Sequence, residues 1–230
     1  MSYRYETHLH TYPVSKCAKV GVRETLEYYK SAGYDGVFIT NHFIDGNINY
    51  DRHAPYEDLI NFYCTDYEEA LVVGKEIGLK VFFGVEMSLA GTDFLVYGLD
   101  KEWYLAHPEI RDMKKSEELP YLQQNGGLVI QAHPFREDPH IDHIQLFPRC
   151  IDGVEIVNAN RTEFENHMAM IYAQSYGLLA TAGTDNHRGG MQKRFAGVET
   201  DTPINDVADY IKHVREGSLR LFYEDFTEKE

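Results

Sequence analysis

Short apolar runs alternate along this chain with longer amphipathic stretches. Runs rich in β-branched and aromatic residues predict strands at 3–8, 37–40, 80–85, 126–132, 153–157 and 178–182, with a further strand segment near Val198. The stretches between them predict helices over 20–33, 56–77, 163–176 and 206–216. Strands that alternate with helices in this way are typical of an α/β fold.

The strand after Glu86 has a different connection. Only residues 87–92 separate Glu86 from the next apolar run, at 93–99. A parallel crossover needs a dozen or more residues, so this strand is predicted to run antiparallel to the one before it. The reversal places Asp93, at its start, at the same edge of the sheet as Glu86, and Asp100 at the opposite edge.

Side chains that bind metals follow most of these strands. The carboxyl ends of parallel strands form the ligand-binding edge of α/β sheets and barrels. Imidazole nitrogen and carboxylate oxygen suit zinc, manganese and iron, and residues at i and i+2 of an extended segment point the same way. The pattern indicates a metal-dependent hydrolase. The candidate metal ligands are His8, His10, His42, Glu86, Asp93, His133, Asp185 and His187.

These residues resemble the motifs of the PHP (polymerase and histidinol phosphatase) superfamily of metal-dependent phosphoesterases. The family pattern runs HxH, TDH, a glutamate after a strand, AHP and DxH. In the same order, this chain has His8-Leu9-His10, Thr40-Asn41-His42, Gly84-Val85-Glu86, Ala132-His133-Pro134 and Asp185-Asn186-His187. The resemblance implies a distorted (β/α)7 barrel, a single domain over 1–230, and hydrolysis of phosphoesters with two or three divalent ions (Zn, Mn or Fe).

Catalysis in such a site belongs to a metal-activated water, which we expect Glu86 and Asp185 to hold. Glu86 has two carboxylate oxygens and could bridge neighbouring ions, as two-metal sites require. The chain has no GxSxG elbow, Walker loop or dinucleotide fingerprint, so serine hydrolase, NTPase and Rossmann interpretations have no support.

Arginines near the predicted metal site are candidates for binding substrate phosphate, because the planar guanidinium matches phosphate oxygens. Arg161 follows the strand at 153–157, and Arg188 directly follows the DxH pair. Arg136 is a third candidate, and Asn158 either orients a ligand or closes a loop. Each arginine could instead be a solvated surface residue.

The chain departs from the family pattern at several points. After HxH the family has an acidic or histidine ligand, whereas residues 12–17 contain neither; Lys16 could substitute for a cation and Cys17 for a ligand, or Cys17 could simply be buried. Asn41 replaces the acid of TDH and loses a possible anchor for a ligand. Asp93 stands where other members have histidine, which favours manganese, iron or magnesium over zinc.

The composition of the chain restricts the substrates and partners that it can have. The net charge of −15 and pI near 5.1 argue against a surface that binds long nucleic acid, which needs clustered Lys and Arg, and favour a small phosphorylated substrate. Three widely separated cysteines give no disulfide framework, and no stretch matches a signal h-region or a membrane span. We therefore expect a cytoplasmic protein without a membrane partner; the sequence does not specify its oligomeric state.

Three functions remain open at this stage. The first is a phosphomonoesterase acting on a small phosphorylated metabolite. The second is a phosphodiesterase or exonuclease acting on short oligonucleotides or nucleotides. The third is a non-catalytic barrel with a degenerate metal site that binds metabolites. Residues 45–56, polar and directly after His42, are either a mobile flap over the site or an ordinary surface loop.

Overall fold

The computed structural model describes residues 2–225. The strands are β1 (Tyr3–Leu9), β2 (Gly36–Ile39), β3 (Lys80–Leu89), β4 (Thr92–Tyr97), β5 (Leu128–Ala132), β6 (Gly153–Asn158), β7 (Leu179–Gly183), β8 (Arg194–Thr200) and β9 (Arg220–Asp225). The helices are α1 (Val22–Ser31), α2 (Tyr56–Ile77), α3 (Lys101–Ala106), α4 (Lys115–Gln124), α5 (Glu163–Tyr176) and α6 (Val207–Glu216).

The strands form one curled sheet in the order β7-β6-β5-β4-β3-β2-β1-β8-β9. Strands β1 to β3 are mutually parallel, as are β5 to β7, and β4 runs antiparallel to both of its neighbours. The sheet nearly closes where β1 meets the segment after β7: Asp185 N–H donates to His8 O (2.8 Å) and His10 N–H donates to Asn186 O (3.1 Å). The predicted α/β barrel is confirmed.

Glycine at position 183 permits this close approach of β7 to β1. A Cβ atom there would lie 2.5 Å from the Cβ of His8 and 2.8 Å from Oε1 of Glu155. Real Cβ atoms do not approach so closely, because interiors are packed at van der Waals contact. The barrel seam and the site at its end therefore depend on the same glycine.

The hairpin between β3 and β4 confirms that β4 runs antiparallel to β3, but the connection between them is shorter than predicted. Strand β3 continues to Leu89, and the turn consists of Ala90 and Gly91, both with positive φ (48° and 88°). Positive φ at both central residues is typical of the tight turns that match strand twist. Glu86 consequently lies inside β3 rather than after its end, because β4 supplies backbone partners as far as Leu89.

Helices α3 and α4 and strand β9 were not predicted from the pattern. In α4, Lys115 and Glu118 are buried and form an ion pair of 2.7 Å, so the helix lacks a simple apolar stripe, and Pro120 lies within it. Strand β9 is an edge strand with no buried residue. Both elements depend on tertiary contacts that local periodicity does not reveal.

Apolar packing fills the barrel at the end opposite the strand carboxyl termini. Tyr210 of α6 packs against Phe38 (ring centroids 4.6 Å apart) and Tyr97 (5.0 Å), and Ile211 covers Gly98 after β4. Polar functional side chains are thereby confined to the other end of the barrel. No helix within residues 2–225 is long and apolar enough to cross a bilayer.

Candidate metal centre

The predicted ligands converge at the carboxyl end of the barrel. Seven of them form three overlapping groups, within each of which the possible donor atoms lie within 4.8 Å of one another. Such spacing is what one ion, or ions about 4 Å apart, would require. The groups are His8, Glu86 and His133; His8, His10 and Asp185; and His10, His42 and His187.

Glu86 lies at the middle of the cluster. Its Oε1 is 3.1 Å from His8 Nε2, and its Oε2 is 3.3 Å from His10 Nε2 and 2.6 Å from His42 Nδ1. The side chain is 1% exposed, yet none of the described residues donates a well-formed hydrogen bond to Oε2. Leaving a buried carboxylate oxygen without a donor is costly, so this atom fits a bound cation.

Two ligand candidates have unusual backbone conformations. Asp185 has φ of 58° and His133 has φ of 27°, in the left-handed region that side chains rarely adopt. Strained φ angles persist where surrounding structure fixes a functional side chain, and here both side chains point toward the cluster, with His133 Nε2 3.8 Å from Asp185 Oδ2.

His8 is oriented by a buried acid that the sequence analysis did not assign to the site. Its Nδ1 lies 2.9 Å from Glu155 Oε1, which makes Nδ1–H the donor and leaves Nε2 free to bind a metal. Glu155 Oε2 accepts from His133 N–H (3.1 Å) and Asn158 Nδ2–H (2.9 Å). Asn158 thus orients Glu155. The available signal was a lone acid in the apolar strand at 153–157.

His10 is oriented by a network of hydrogen bonds that runs through Ser15 and Asn41 to a buried acid. Its Nδ1 lies 3.0 Å from Ser15 Oγ, and Ser15 Oγ–H donates to Asn41 Oδ1 (2.8 Å). Asn41 is fixed in turn, because its Nδ2 donates to the buried carboxylate of Asp66. Since the Ser15 hydrogen is used by Asn41, His10 Nδ1 must carry a proton and Nε2 is free. The expectation that Asn41 loses an anchoring role is wrong.

The charged and buried groups of the cluster shift one another's pKa values. Burial alone would raise the pKa of Glu86, but the charges of His42, His8 and His10 hold it well below its usual range. Asp185 has its pKa depressed in the same way, against burial, by His8 and His187. Burial and the neighbouring His187 lower the pKa of His10 well below its usual value. The carboxylates are therefore ionised and able to accept cations at neutral pH.

Asp93 lies at the rim of the cluster rather than in any of the three groups. Its Oδ2 is 3.9 Å from His133 Nε2 and 3.7 Å from Arg136 Nη1, and its Oδ1 accepts from Ser88 Oγ–H (2.6 Å). Burial, together with the nearby Glu86 carboxylate, raises its pKa. The arginine and the hydroxyl compete with a metal for this carboxylate.

The structure distinguishes the two residues proposed to replace the absent family ligand. Lys16 is exposed and does not line the cleft, whereas Cys17 does. Burial would raise the pKa of the Cys17 thiol, but hydrogen bonds with the rings of His187 and His42 lower it to about 6. All three cysteines are free, as expected.

An open cleft of about 820 Å³ lies over the cluster, within the size range of small-ligand sites. All three arginines singled out in the sequence line it, and so do three more cations. Residues 45–47 and Arg52 form part of its wall, and this loop is attached to the β1 side through Lys16 N–H to Asn47 O (3.0 Å). The six cations are Lys19, Arg52, Arg136, Arg161, Arg188 and Arg194.

No family model matches the sequence, and a search of curated proteins finds no match. Solved structures do match. A two-domain Bacteroides vulgatus protein containing a predicted PHP-like metal-dependent phosphoesterase superposes with a TM-score of 0.70 at 13% identity. The match covers 96% of this chain and 65% of that protein, so the chain spans less than two thirds of its length.

Two further structures extend the comparison. PsfC from Pseudomonas syringae has a TM-score of 0.65 and 19% identity, over 99% of this chain and 93% of its own. The lesion-specific endonuclease EndoQ from Pyrococcus furiosus has a TM-score of 0.61 and 12% identity, over 96% of this chain and 58% of its own. The chain therefore has the fold of PHP-like metal-dependent phosphoesterases.

Proposed function

We propose that this chain is a metal-dependent phosphoester hydrolase, acting as a phosphomonoesterase on a small phosphorylated metabolite. The observation that carries the proposal is the buried Glu86 carboxylate among four imidazole rings, with Oε2 lacking a hydrogen-bond donor among the described residues. The fold shared with PHP-like phosphoesterases supports the same reaction class.

The ligand roles follow from which atoms are left free. Glu155 and Ser15 occupy Nδ1 of His8 and His10, so Nε2 of each ring faces the cluster. His187 Nδ1 lies 3.0 Å from the carbonyl oxygen of Asp185, which leaves its Nε2 free as well. Divalent ions bound here would activate a water and neutralise phosphate charge. The proposed ligands are His8, His10, His42, Glu86, His133, Asp185 and His187. Asp93 is proposed as a further ligand, which would bind a metal in place of its contact with Arg136.

The cations of the cleft support an anionic substrate. Nε of Arg136 and of Arg161 are buried, and nothing within residues 2–225 accepts a hydrogen bond from either. Arg188 also forms no ion pair with any carboxylate of residues 2–225. All three arginines line the cleft, and guanidinium groups that face it can bind phosphate oxygens. Concentrating cations at one cleft of a protein with net charge −15 would attract phosphorylated molecules.

Phosphate release by the whole chain tests the proposal. The protein is stripped with a chelator, reloaded separately with Zn²⁺ or Mn²⁺, and assayed with small phosphomonoesters, a phosphodiester and a dinucleotide. We expect metal-dependent release from monoesters, and a loss of at least about a hundredfold in kcat for Glu86→Gln. The exposed Glu163→Gln on α5 is the matched control and should retain activity.

Two results would overturn this assignment. Preferential cleavage of the dinucleotide would favour the phosphodiesterase alternative. Binding of phosphorylated compounds without release of phosphate by any metal form would favour the non-catalytic barrel.

A further inference from the structure

A second cavity, of about 560 Å³, adjoins the cleft over the metal cluster, and Asp45 and Ser88 line both. The two cavities differ in chemistry. Apart from Cys17 and Ala90, the side chains that line the metal cleft are polar or charged. The second cavity, which we call the apolar cavity, is lined by six apolar side chains: Phe43, Ile44, Leu89, Ile110, Met113 and Phe147.

The segments that carry two predicted metal ligands also form walls of the apolar cavity. Phe43 directly follows His42, and Leu89 lies three residues after Glu86 on β3. The two segments are joined at the ligands, because Phe43 N–H donates to Glu86 O (2.8 Å). The position of the apolar cavity relative to the metal cluster is therefore fixed by the same backbone that positions the ligands.

The edge shared by the two cavities is close to the metal cluster. Ser88 Oγ–H donates to Asp93 Oδ1 (2.6 Å), and Asp93 Oδ2 lies 3.9 Å from His133 Nε2. Only two side-chain contacts thus separate this edge from a predicted metal ligand. A small molecule with its phosphate at the cluster can extend its organic part past Ser88 and Asp45 into the apolar cavity.

Buried ion pairs hold the wall of the apolar cavity in place. Lys115 of α4 is buried and pairs with the carboxylates of Asp45 and Glu118, the latter at 2.7 Å. Ser88 N–H donates to Asp45 Oδ1 (3.0 Å). Removing one partner of a buried ion pair is costly, so these contacts fix the loop at 43–47 against α4 and β3. A preformed cavity of this size, within the range of small-ligand sites, binds without the cost of ordering its walls.

The apolar cavity presents apolar surface to water. Leu89, Met113 and Phe147 are only half-buried, although apolar contacts surround each of them. Covering such surface with an apolar group of a ligand is favourable in proportion to the area removed from water. The polar metal cleft offers no comparable surface, so the apolar part of a bound molecule would lie in the second cavity.

We propose that the apolar cavity binds the organic part of the substrate and makes the site selective for phosphomonoesters of apolar alcohols. The inference rests on the proposed function and names its substrate class. The phosphate binds at the metal cluster and the cations of the cleft, and the apolar group lies beyond Asp45 and Ser88. Esters of small alcohols would use the metal cleft alone and gain nothing from the second cavity.

Two esters with similar leaving groups test the proposal. Ethyl phosphate and 2-phenylethyl phosphate are both esters of primary alcohols, and they differ by one phenyl ring. The whole chain, loaded with Zn²⁺ or Mn²⁺, is assayed for phosphate release, and the Kd of each ester is measured by calorimetry. We expect kcat/KM to be about 10- to 100-fold higher, and Kd lower by a similar factor, for the phenylethyl ester.

Met113→Trp fills the apolar cavity and leaves the metal cleft unchanged, because Met113 lies in the connection between α3 and α4 and lines only the apolar cavity. The preference for 2-phenylethyl phosphate should fall to less than about threefold, while ethyl phosphate is hydrolysed as by the wild type. Met168→Trp, at a half-buried methionine of α5 that lines neither cavity, is the matched control and should keep the preference. Poor folding would affect both esters equally and leave their ratio unchanged.

The outcomes separate this inference from the proposed function. Equal values for the two esters, or a preference that survives in Met113→Trp, would refute the role of the apolar cavity and leave phosphate release intact. A preference in Kd that Met113→Trp removes, without phosphate release from either ester, would refute hydrolysis and support the cavity as a binding site. Failure of both esters to bind would refute both.

Discussion

Glu155 is the residue at which orientation of a metal ligand can be separated from ligation itself. Its carboxylate accepts from His8 Nδ1–H, His133 N–H and Asn158 Nδ2–H. In Glu155→Gln one carboxylate oxygen becomes an NH2 group, which is a donor and would face another donor. If it faces Nδ1–H of His8, that ring would turn away. We expect metal affinity to fall roughly 10- to 100-fold, as for other partners of metal-bound histidines. Competition with a chromophoric chelator measures this, and unchanged affinity would mean that Glu155 is only structural.

Asp66 provides a prediction of pH dependence away from the ligands themselves. Burial raises its pKa to about 6, despite hydrogen bonds from Thr11 Oγ–H, Val14 N–H and Asn41 Nδ2–H. The folded protein therefore holds this proton more tightly than the unfolded chain. The resulting stability is fully present below about pH 4 and is lost as the pH rises through 6, a change of up to about 3 kcal/mol.

Asp66→Asn should remove that pH dependence. All three donors bind the same carboxylate oxygen, Oδ2, so an amide oxygen can replace it. The free energy of unfolding of the metal-free proteins is measured with urea between pH 4 and 7. As the pH rises over this range, the wild type should lose stability relative to Asp66→Asn. The exposed Asp58→Asn on the same helix is the control. Parallel curves for wild type and Asp66→Asn would contradict the account.

At this scale, the sequence predicted most of the side chains that converge at the cluster, but not the residues that orient them. HxH, AHP and DxH are local motifs that follow predicted strands, so His8, His133 and Asp185 could be selected from the sequence and its resemblance to the family. The partner of His8 is 147 positions away in sequence, and its contact depends on how β6 and β1 are placed in the barrel. Ser15 was overlooked because a serine in a loop carries no pattern of its own.

At the scale of elements, the seam between β1 and β7 brings the HxH pair at the end of β1 next to the DxH pair that follows β7. A methyl group at Gly183 would lie 2.5 Å from the Cβ of His8. We expect Gly183→Ala to lower the free energy of unfolding by about 1–3 kcal/mol through overpacking, and to reduce metal content. Urea unfolding and elemental analysis measure the two effects.

Gly21→Ala is the matched control for this change. A Cβ at Gly21 would meet only Tyr12 O, at 3.7 Å, which is an ordinary contact. Equal destabilisation by both substitutions would show that loss of glycine, rather than the seam, is responsible.

Helices and strands with strong periodicity were predictable, and those stabilised by distant contacts were not. The bounds of α2 and α5 agree with the apolar pattern, and the short connection correctly predicted that β4 is antiparallel. Helix α4 was missed because its buried positions include the Lys115 and Glu118 ion pair. The hairpin was misjudged in length because Ala90 adopts a positive φ that favours glycine or asparagine.

For the whole molecule, metal binding should be coupled to stability. A ligand that binds only the folded state raises the melting temperature, because it adds its binding free energy to that of folding. We expect a chelator to lower the melting temperature of the wild type by several degrees and added Zn²⁺ to restore it. Asp185→Ala should respond much less. Equal responses of the two proteins would indicate that metals bind elsewhere.

The most direct test of the metal centre is elemental analysis by mass spectrometry of the whole chain purified without chelator. The account predicts two or three divalent transition-metal ions per chain, and fewer in Asp185→Ala, because Asp185 lies beside His8, His10 and His133. A wild-type protein that contains no bound metal, and takes up none when metals are supplied, would contradict it.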